Sequence, residues 1–168
     1  LPMVVDADAL NLLGADHRAV LRSAPAPRVL TPHPGEAARL LGTTTAEVQS
    51  ARLAAARTLA SDTQSVVVLK GARTLVAQPD GTVFVNPAAN PALATAGSGD
   101  VLTGVITAFL TQGLVAVDAA TAGVFVHGAA GDEAARRKGG VIAGDLPEAV
   151  AQVMAGLRAT AAPGRDRP

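Results

Sequence analysis

The 168-residue chain has no Cys, no Trp, no Tyr and only three Phe. Without thiols there is no disulfide framework and no thiolate metal site, which agrees with a reducing cytoplasm as the expected location. With so few aromatics, the core has to be built from Ala, Val, Leu and Ile. Charge of one sign is lacking too: Lys+Arg and Asp+Glu are 14 each, a formal net charge of zero. A neutral chain without basic blocks or interleaved aromatics is a poor nucleic-acid binder. Long apolar runs are missing as well, because Gly, Asp or Thr interrupts each one before it could span a bilayer. No run reads as a signal peptide and no internal repeat is visible. An initiator Met is absent: "LPMVVDADAL" starts directly in a strand-like run, and the expectation is a chain cut from a longer one.

The length suits one domain with a sizeable core. Val4-Val5 up to Asp6 reads as a short buried strand, and "DALNLLG" as a short helix closed by Gly14. "RVLTP" is a second strand stopped by Pro32. A helix follows from Gly35 to Leu41 with Gly42 as its stop. Thr44 and Glu47 have capping-box spacing, and Val48 to Ala60 carries one helical pattern. "SVVVLKG" reads as a fully buried strand, and "RTLVAQPDGTVFVN" as a hairpin turning at Pro79-Asp80-Gly81. After the loop from Pro87 to Gly97 comes an apolar helix. Asp118 is expected to cap a long helix to about Lys138. Asp145 and Glu148 form a second capping-box pair, with Pro147 in the first turn of a helix to about Leu157. The domain is placed at 1–158, with 159–168 a disordered tail. Strands alternating with helices predict a layered α/β fold with a mainly parallel sheet. The loops after Asp6, Thr31 and Lys70 should then share the carboxyl edge, where such sheets bind ligands.

The segment "ATAGSGDVLTGVITAFL" carries the chemistry. It puts Gly97, Ser98, Gly99 and Asp100 at the start of an apolar helix. A helix N-terminus has unpaired N–H groups and a partial positive charge, and glycines let an anion touch those donors. Asp100 would repel a phosphate there. It makes sense as a base that takes the proton of a hydroxyl attacking phosphorus. From spacing alone, a simple helix cap explains the segment equally well. Gly104 rather than a Gly at 102 excludes a dinucleotide fingerprint, and the missing Gly-Lys-Ser/Thr excludes a Walker A loop. His33, Gly35 and Glu36 follow one strand, and Lys70-Gly71 ends another. Alone, His33 reads as a surface residue, Glu36 as a helix-start acid and Lys70 as a snorkelling cation.

Together, "VVDADALNLL", "LTPHPGEAARLLG", "VVLKGARTLV", "NPALATAGSGDVLTG" and "GVIAGDLPEAV" resemble the ADP-dependent NAD(P)H-hydrate dehydratases of the ribokinase-like superfamily. The pieces keep the family's order over nearly the whole chain. The Gly-Ser-Gly-Asp turn is shared across the superfamily, whereas His-Pro-Gly-Glu is diagnostic of the dehydratases. The resemblance implies a three-layer α/β/α fold. It also implies repair of the S-form of NADH hydrate and NADPH hydrate by ADP-dependent phosphorylation of the ring hydroxyl and loss of phosphate. By that similarity Asp100 is the catalytic base and contacts the hydrate, and His33 lines the hydrate site. Lys70, Gly71, Ala72, Arg73, Thr74 and Gly99 bind the nucleotide, and Gly97, Ser98 and Gly99 form the anion hole. Mg²⁺ is expected with the ADP, with no ligands identifiable. A homo-oligomer and an epimerase, fused or separate, are the partners the resemblance suggests.

The family's domain starts before this chain does, in strands and a Gly-Pro-Gly-type segment of the hydrate site. The fold is therefore expected to be truncated at its N-terminus, and the chain alone poorly soluble or inactive. A sibling small-molecule kinase and a catalytically dead nucleotide-binding module are the competing readings. Asp6, Asp8 and Asn11 are read as loop-fixing groups rather than substrate contacts, and Asn86 and Asn90 as shaping the loop before the turn. Gly123, Gly128 and Gly131 are read as packing positions, and His17 and His127 as ordinary polar residues.

Overall fold

The computed structural model describes residues 1–13, 17–88 and 90–161. The expected helix stop at Gly14, the side chain of His17 and most of the expected tail lie outside the described residues. Five short strands form one sheet in the order β1 (Met3–Val5), β2 (Arg28–Leu30), β3 (Val66–Leu69), β4 (Leu75–Ala77) and β5 (Val83–Val85). β1, β2 and β3 run parallel, and the β4–β5 hairpin adds antiparallel to β3. The sheet is thus parallel in one half and antiparallel in the other. The Pro79-Asp80-Gly81 turn sets the hairpin, where Asp80 accepts from the Thr82 N–H at 2.8 Å.

Alternate strand residues feed two separate cores. Val5, Leu30, Val67, Leu69 and Leu75 face a layer of α1 (Asp8–Leu12), α2 (His17–Arg22), α3 (Pro34–Leu41), α4 (Thr45–Ser50) and α5 (Arg52–Thr63). Val29, Val66, Val68 and Val76 face α6 (Ser98–Thr111) and α7 (Ala116–Lys138). All four residues of β3 are buried, as its continuous Val run predicts for a strand covered on both faces. Burying each such aliphatic side chain contributes about 1.5–3 kcal/mol. α8 (Leu146–Ala161) packs on the outside of α7 through Ala130, Ala134, Leu146 and Ala149. The result is helix, sheet and helix in three layers.

Four local expectations change. Val48–Ala60 is not one helix: Ala51, at φ −134° and ψ 44°, separates α4 from α5. Asp118 does not cap α7, because the helix begins at Ala116 and leaves Asp118 in the first turn, where its charge favours the dipole. Asp145 and Glu148 are not a reciprocal pair. A 3₁₀ turn, Ala143–Asp145, precedes α8, so Asp145 reaches back three residues to the Ile142 N–H at 3.1 Å. Glu148 instead accepts from Gln152 at 3.1 Å. α8 continues to Ala161, past the expected boundary at 158.

Candidate active site

The carboxyl ends of β1, β2 and β3 converge on Lys70. Its N–H donates to the Pro32 carbonyl at 2.9 Å, tying the end of β3 to that of β2. Its Nζ donates to Asp6 Oδ1 at 2.7 Å, tying β3 to β1. Asp6 Oδ2 accepts from Thr103 Oγ1 of α6 at 2.7 Å. Burial pushes the Asp6 carboxyl up, but the hydrogen bonds from Lys70 and Thr103 and the Lys70 charge outweigh it and hold the pKa below the usual value. Lys70 Nζ is also 4.0 Å from Glu36 Oε2. The three loops share one edge, as expected.

His33 is the N-cap of α3. Its Nδ1 accepts from the N–H groups of Gly35 at 3.0 Å and Glu36 at 3.2 Å, and Glu36 Oε2 accepts from the His33 N–H at 2.7 Å. With Nδ1 an acceptor, the ring hydrogen is on Nε2, 3.4 Å from Glu36 Oε1. His-Pro-Gly-Glu is thus a capping box that buries Glu36 beside Lys70 and leaves an edge of the imidazole exposed. Gly42 closes the helix in the left-handed region, as expected.

Beyond β3 the chain turns through Gly71 at φ +134° and Arg73 at φ +53°. Arg52 holds this turn from below, donating to the Leu69 carbonyl at 3.2 Å and the Lys70 carbonyl at 3.3 Å. Its position follows from the break at Ala51, and no local pattern announced it. Burial lowers the Arg52 pKa without threatening its charge at neutral pH.

The glycine turn lies opposite. Gly97, at φ +84°, precedes α6, which starts at Ser98, so Asp100 stands within the first turn. Among the described residues the N–H groups of Gly97, Gly99 and Asp100 have no protein acceptor, whereas that of Ser98 donates to Thr95 at 3.2 Å. The Ser98 hydroxyl donates to the Leu93 carbonyl at 2.7 Å. Both Ser98 donors are therefore engaged. A Cβ on Gly99 would lie 3.4 Å from Lys70 Nζ, so the ammonium sits directly against Gly99. A cation beside a helix N-terminus with unpaired N–H groups is the donor set of an anion site.

A cleft of ≈ 530 Å³ opens over this point, lined by His33, Lys70, Gly71, Ala72, Thr74, Ser98 and Gly99. Its far wall is Leu93, Leu102, Val124 and His127, and its size suits a nucleotide-scale ligand. Arg73, Gly97 and Asp100 are not among the lining residues, and all three are exposed. A second depression of ≈ 580 Å³ over the start of α5 is flatter, and none of the residues expected at the site lines it. Asn86 and Asn90 shape the loop as expected: Asn86 donates to the Val124 carbonyl at 3.2 Å, and Asn90 to Asp132 at 2.7 Å. Asn11 lies in α1 rather than a loop and accepts from Arg39, which ties α1 to α3. His127 is not an ordinary polar residue. It is buried against the glycine turn, with Nε2 2.9 Å from the Ser98 carbonyl. Among the described residues no three His, Cys, Asp or Glu side chains gather to hold a metal, and no helix is long and apolar enough to cross a membrane.

The family described as NAD(P)H-hydrate dehydratase matches residues 1–161. The bifunctional NAD(P)H-hydrate repair enzyme Nnr of Moorella thermoacetica is 55% identical over 94% of this chain and 30% of its own length. The ADP-dependent (S)-NAD(P)H-hydrate dehydratase of Neisseria meningitidis serogroup B is 50% identical over 88% of the chain and 51% of its own. The Bacillus subtilis ADP/ATP-dependent NAD(P)H-hydrate dehydratase, crystallised with ATP/Mg²⁺ and soaked with CoA, superposes with a TM-score of 0.79. That structure is 35% identical, over 92% of this chain and 56% of its own. The chain thus spans about half the length of the Neisseria and Bacillus proteins, and less of the bifunctional one. The architecture is the ribokinase-like one, and the chain belongs to the NAD(P)H-hydrate dehydratase family.

Proposed function

We propose that this chain carries the nucleotide half and the catalytic base of an ADP-dependent dehydratase that returns the S-form of NADH hydrate and NADPH hydrate to NADH and NADPH. The observation that supports this best is Lys70 Nζ set against Gly99, beside amides with no protein acceptor. In this reading Gly71, Ala72, Arg73 and Thr74 hold ADP along the turn after β3. The Gly97, Gly99 and Asp100 amides receive the transferring phosphoryl group, and His33 borders the hydrate. Ser98 contributes its backbone position rather than a donor.

Asp100 accepts the proton of the ring hydroxyl as its oxygen bonds to the β-phosphorus of ADP, and AMP leaves with the bridging oxygen. Phosphate then departs with the electrons of the ring C–O bond. The ring nitrogen assists, the neighbouring carbon gives up a proton, and the double bond returns. The sum is hydrate and ADP to NADH, AMP and phosphate. Transfer turns a poor leaving group into a good one, which is why a kinase-type fold suits a dehydration.

Mg²⁺ would enter on the phosphates of the nucleotide, as divalent Mg²⁺ is commonly bound through substrate phosphates. Bound there, it would neutralise phosphate charge. A homo-oligomer, an epimerase partner and a cytoplasmic location belong to the same proposal. The epimerase is supported by the bifunctional name of the Moorella relative.

Replacing Asp100 by Asn tests the assignment. In this chain extended at its N-terminus to the length of the Neisseria relative, ADP binding should persist within a few fold while turnover falls about 10²–10⁴-fold. Unchanged turnover would remove Asp100 from the chemistry. Accumulation of a stable phosphate ester with no NADH would favour a sibling kinase.

A further inference from the structure

His127 on α7 takes no part in the chemistry above, yet it is 7% exposed and lines the cleft. Its Nε2 lies 2.9 Å from the Ser98 carbonyl oxygen. A carbonyl can only accept, so Nε2 carries the hydrogen. Burial lowers the pKa of the ring, against the raising effect of that hydrogen bond, so the imidazole is neutral at pH 7. The next residue of α7, Gly128, packs against the loop that follows β5. A Cβ there would lie 3.0 Å from Asn86 Nδ2 and from Ala88 Cβ.

The bond fixes more than Ser98. The Ser98 carbonyl and the Gly99 N–H are the two ends of one planar trans peptide, so orienting one orients the other. With the Ser98 N–H held by Thr95 and its hydroxyl by Leu93, every polar group of Ser98 has a partner at the head of α6. The Gly99 N–H is left as the donor beside Lys70.

We propose that His127 is a positioning residue: by holding the Ser98 carbonyl it sets the direction of the Gly99 N–H toward an incoming phosphate. The proposal rests on the nucleotide reading above. Packing of α7 on α6 would require only the shape of the ring, whereas positioning requires its N–H donor.

Two variants of the full chain separate these. His127→Leu keeps bulk without a donor, and His127→Gln keeps an N–H at similar reach. ADP affinity, measured by calorimetry, should fall about tenfold in H127L, equivalent to about 1.4 kcal/mol. It should stay within about threefold of the parent in H127Q. The Gly99 amide resonance in ¹⁵N–¹H spectra should move in H127L and not in H127Q. Should H127L fail to fold, His127→Asn, whose donor is one bond short, replaces it with the same expectation. H127L binding ADP like the parent, or H127Q as impaired as H127L, overturns the positioning role and leaves the nucleotide reading standing. A parent chain that binds neither ADP nor AMP sinks the nucleotide reading itself and takes the proposal with it.

Discussion

Asp6 shows what one residue does here. It does not line the cleft, yet it joins the ends of β1 and β3 to α6 through Lys70 and Thr103, both at 2.7 Å. A hydrogen bond to a charged group contributes about 1.5–3 kcal/mol, so Asp6→Asn should cost an amount in that range at pH 7. The pH dependence follows from the direction of its shift. The native pKa lies below the ordinary value, so the stabilisation is complete above the unfolded carboxylate pKa of about 3.9 and is lost as pH falls through the native value. Urea unfolding of parent and variant should therefore differ at pH 7, and the gap should narrow as pH falls below the ordinary carboxylate range. A gap that stays the same as pH falls would contradict the ion pair. His33, Lys70 and Gly99 line one cleft, and in the sequence they were linked by the resemblance of several segments in order, since alone each had a plainer reading. The partner of Asp6 was not legible, since Lys70 is 64 residues away and Thr103 is 97 away. His127 was missed for the same reason: an isolated His in an Ala-rich helix shows no periodicity that separates a buried donor from a surface residue.

At the scale of elements, α6 and α7 decide how tightly the anion-binding turn is held. Gly123 of α7 lies against Ile106 of α6, where a Cβ would come within 2.6 Å of Cγ1 and 3.4 Å of the backbone Cα. Ile106 is fully buried and β-branched and cannot yield easily. Gly123→Ala should therefore destabilise by about 1–3 kcal/mol despite its better helix propensity. Gly104 of α6 has nothing within 4 Å of a built Cβ, so Gly104→Ala should stabilise by about 0.8–1 kcal/mol. Thermal unfolding of the two variants checks both signs. A Gly123→Ala variant as stable as the parent or more so would refute the close α6–α7 approach. Capping chemistry made α3 and the Thr44–Glu47 start of α4 readable residue by residue. The break at Ala51 was not, because nothing in Ser50-Ala51-Arg52 forbids a helix. Beyond it, Arg52 reaches the carbonyls that end β3, a tertiary contact that local propensity does not encode. Asp118 and Asp145 misled for a smaller reason: acids favour a first turn as well as a cap, so residue type alone leaves the start uncertain by a few positions.

For the whole molecule, the alternation of strands and helices announced the layers, and the Val run of β3 announced the strand buried on both faces. The sheet is less parallel than that pattern suggests, because the hairpin adds two antiparallel pairings to two parallel ones. β1 stands at one edge with Met3 53% exposed, an edge open to a further strand. The central claim is that the cleft over Lys70 and Gly99 serves an ADP-dependent dehydration with Asp100 as base. The measurement that tests it is recovery of the near-ultraviolet dihydronicotinamide absorbance from NADH hydrate with ADP and Mg²⁺. It is run on this chain and on a longer protein, this chain extended at its N-terminus to the length of the Neisseria relative. The account predicts recovery in the longer protein with AMP and phosphate released in equal amounts, little or none in the chain alone, and loss on Asp100→Asn. Bound ADP with no recovery in either protein, or recovery that survives Asp100→Asn, would contradict it.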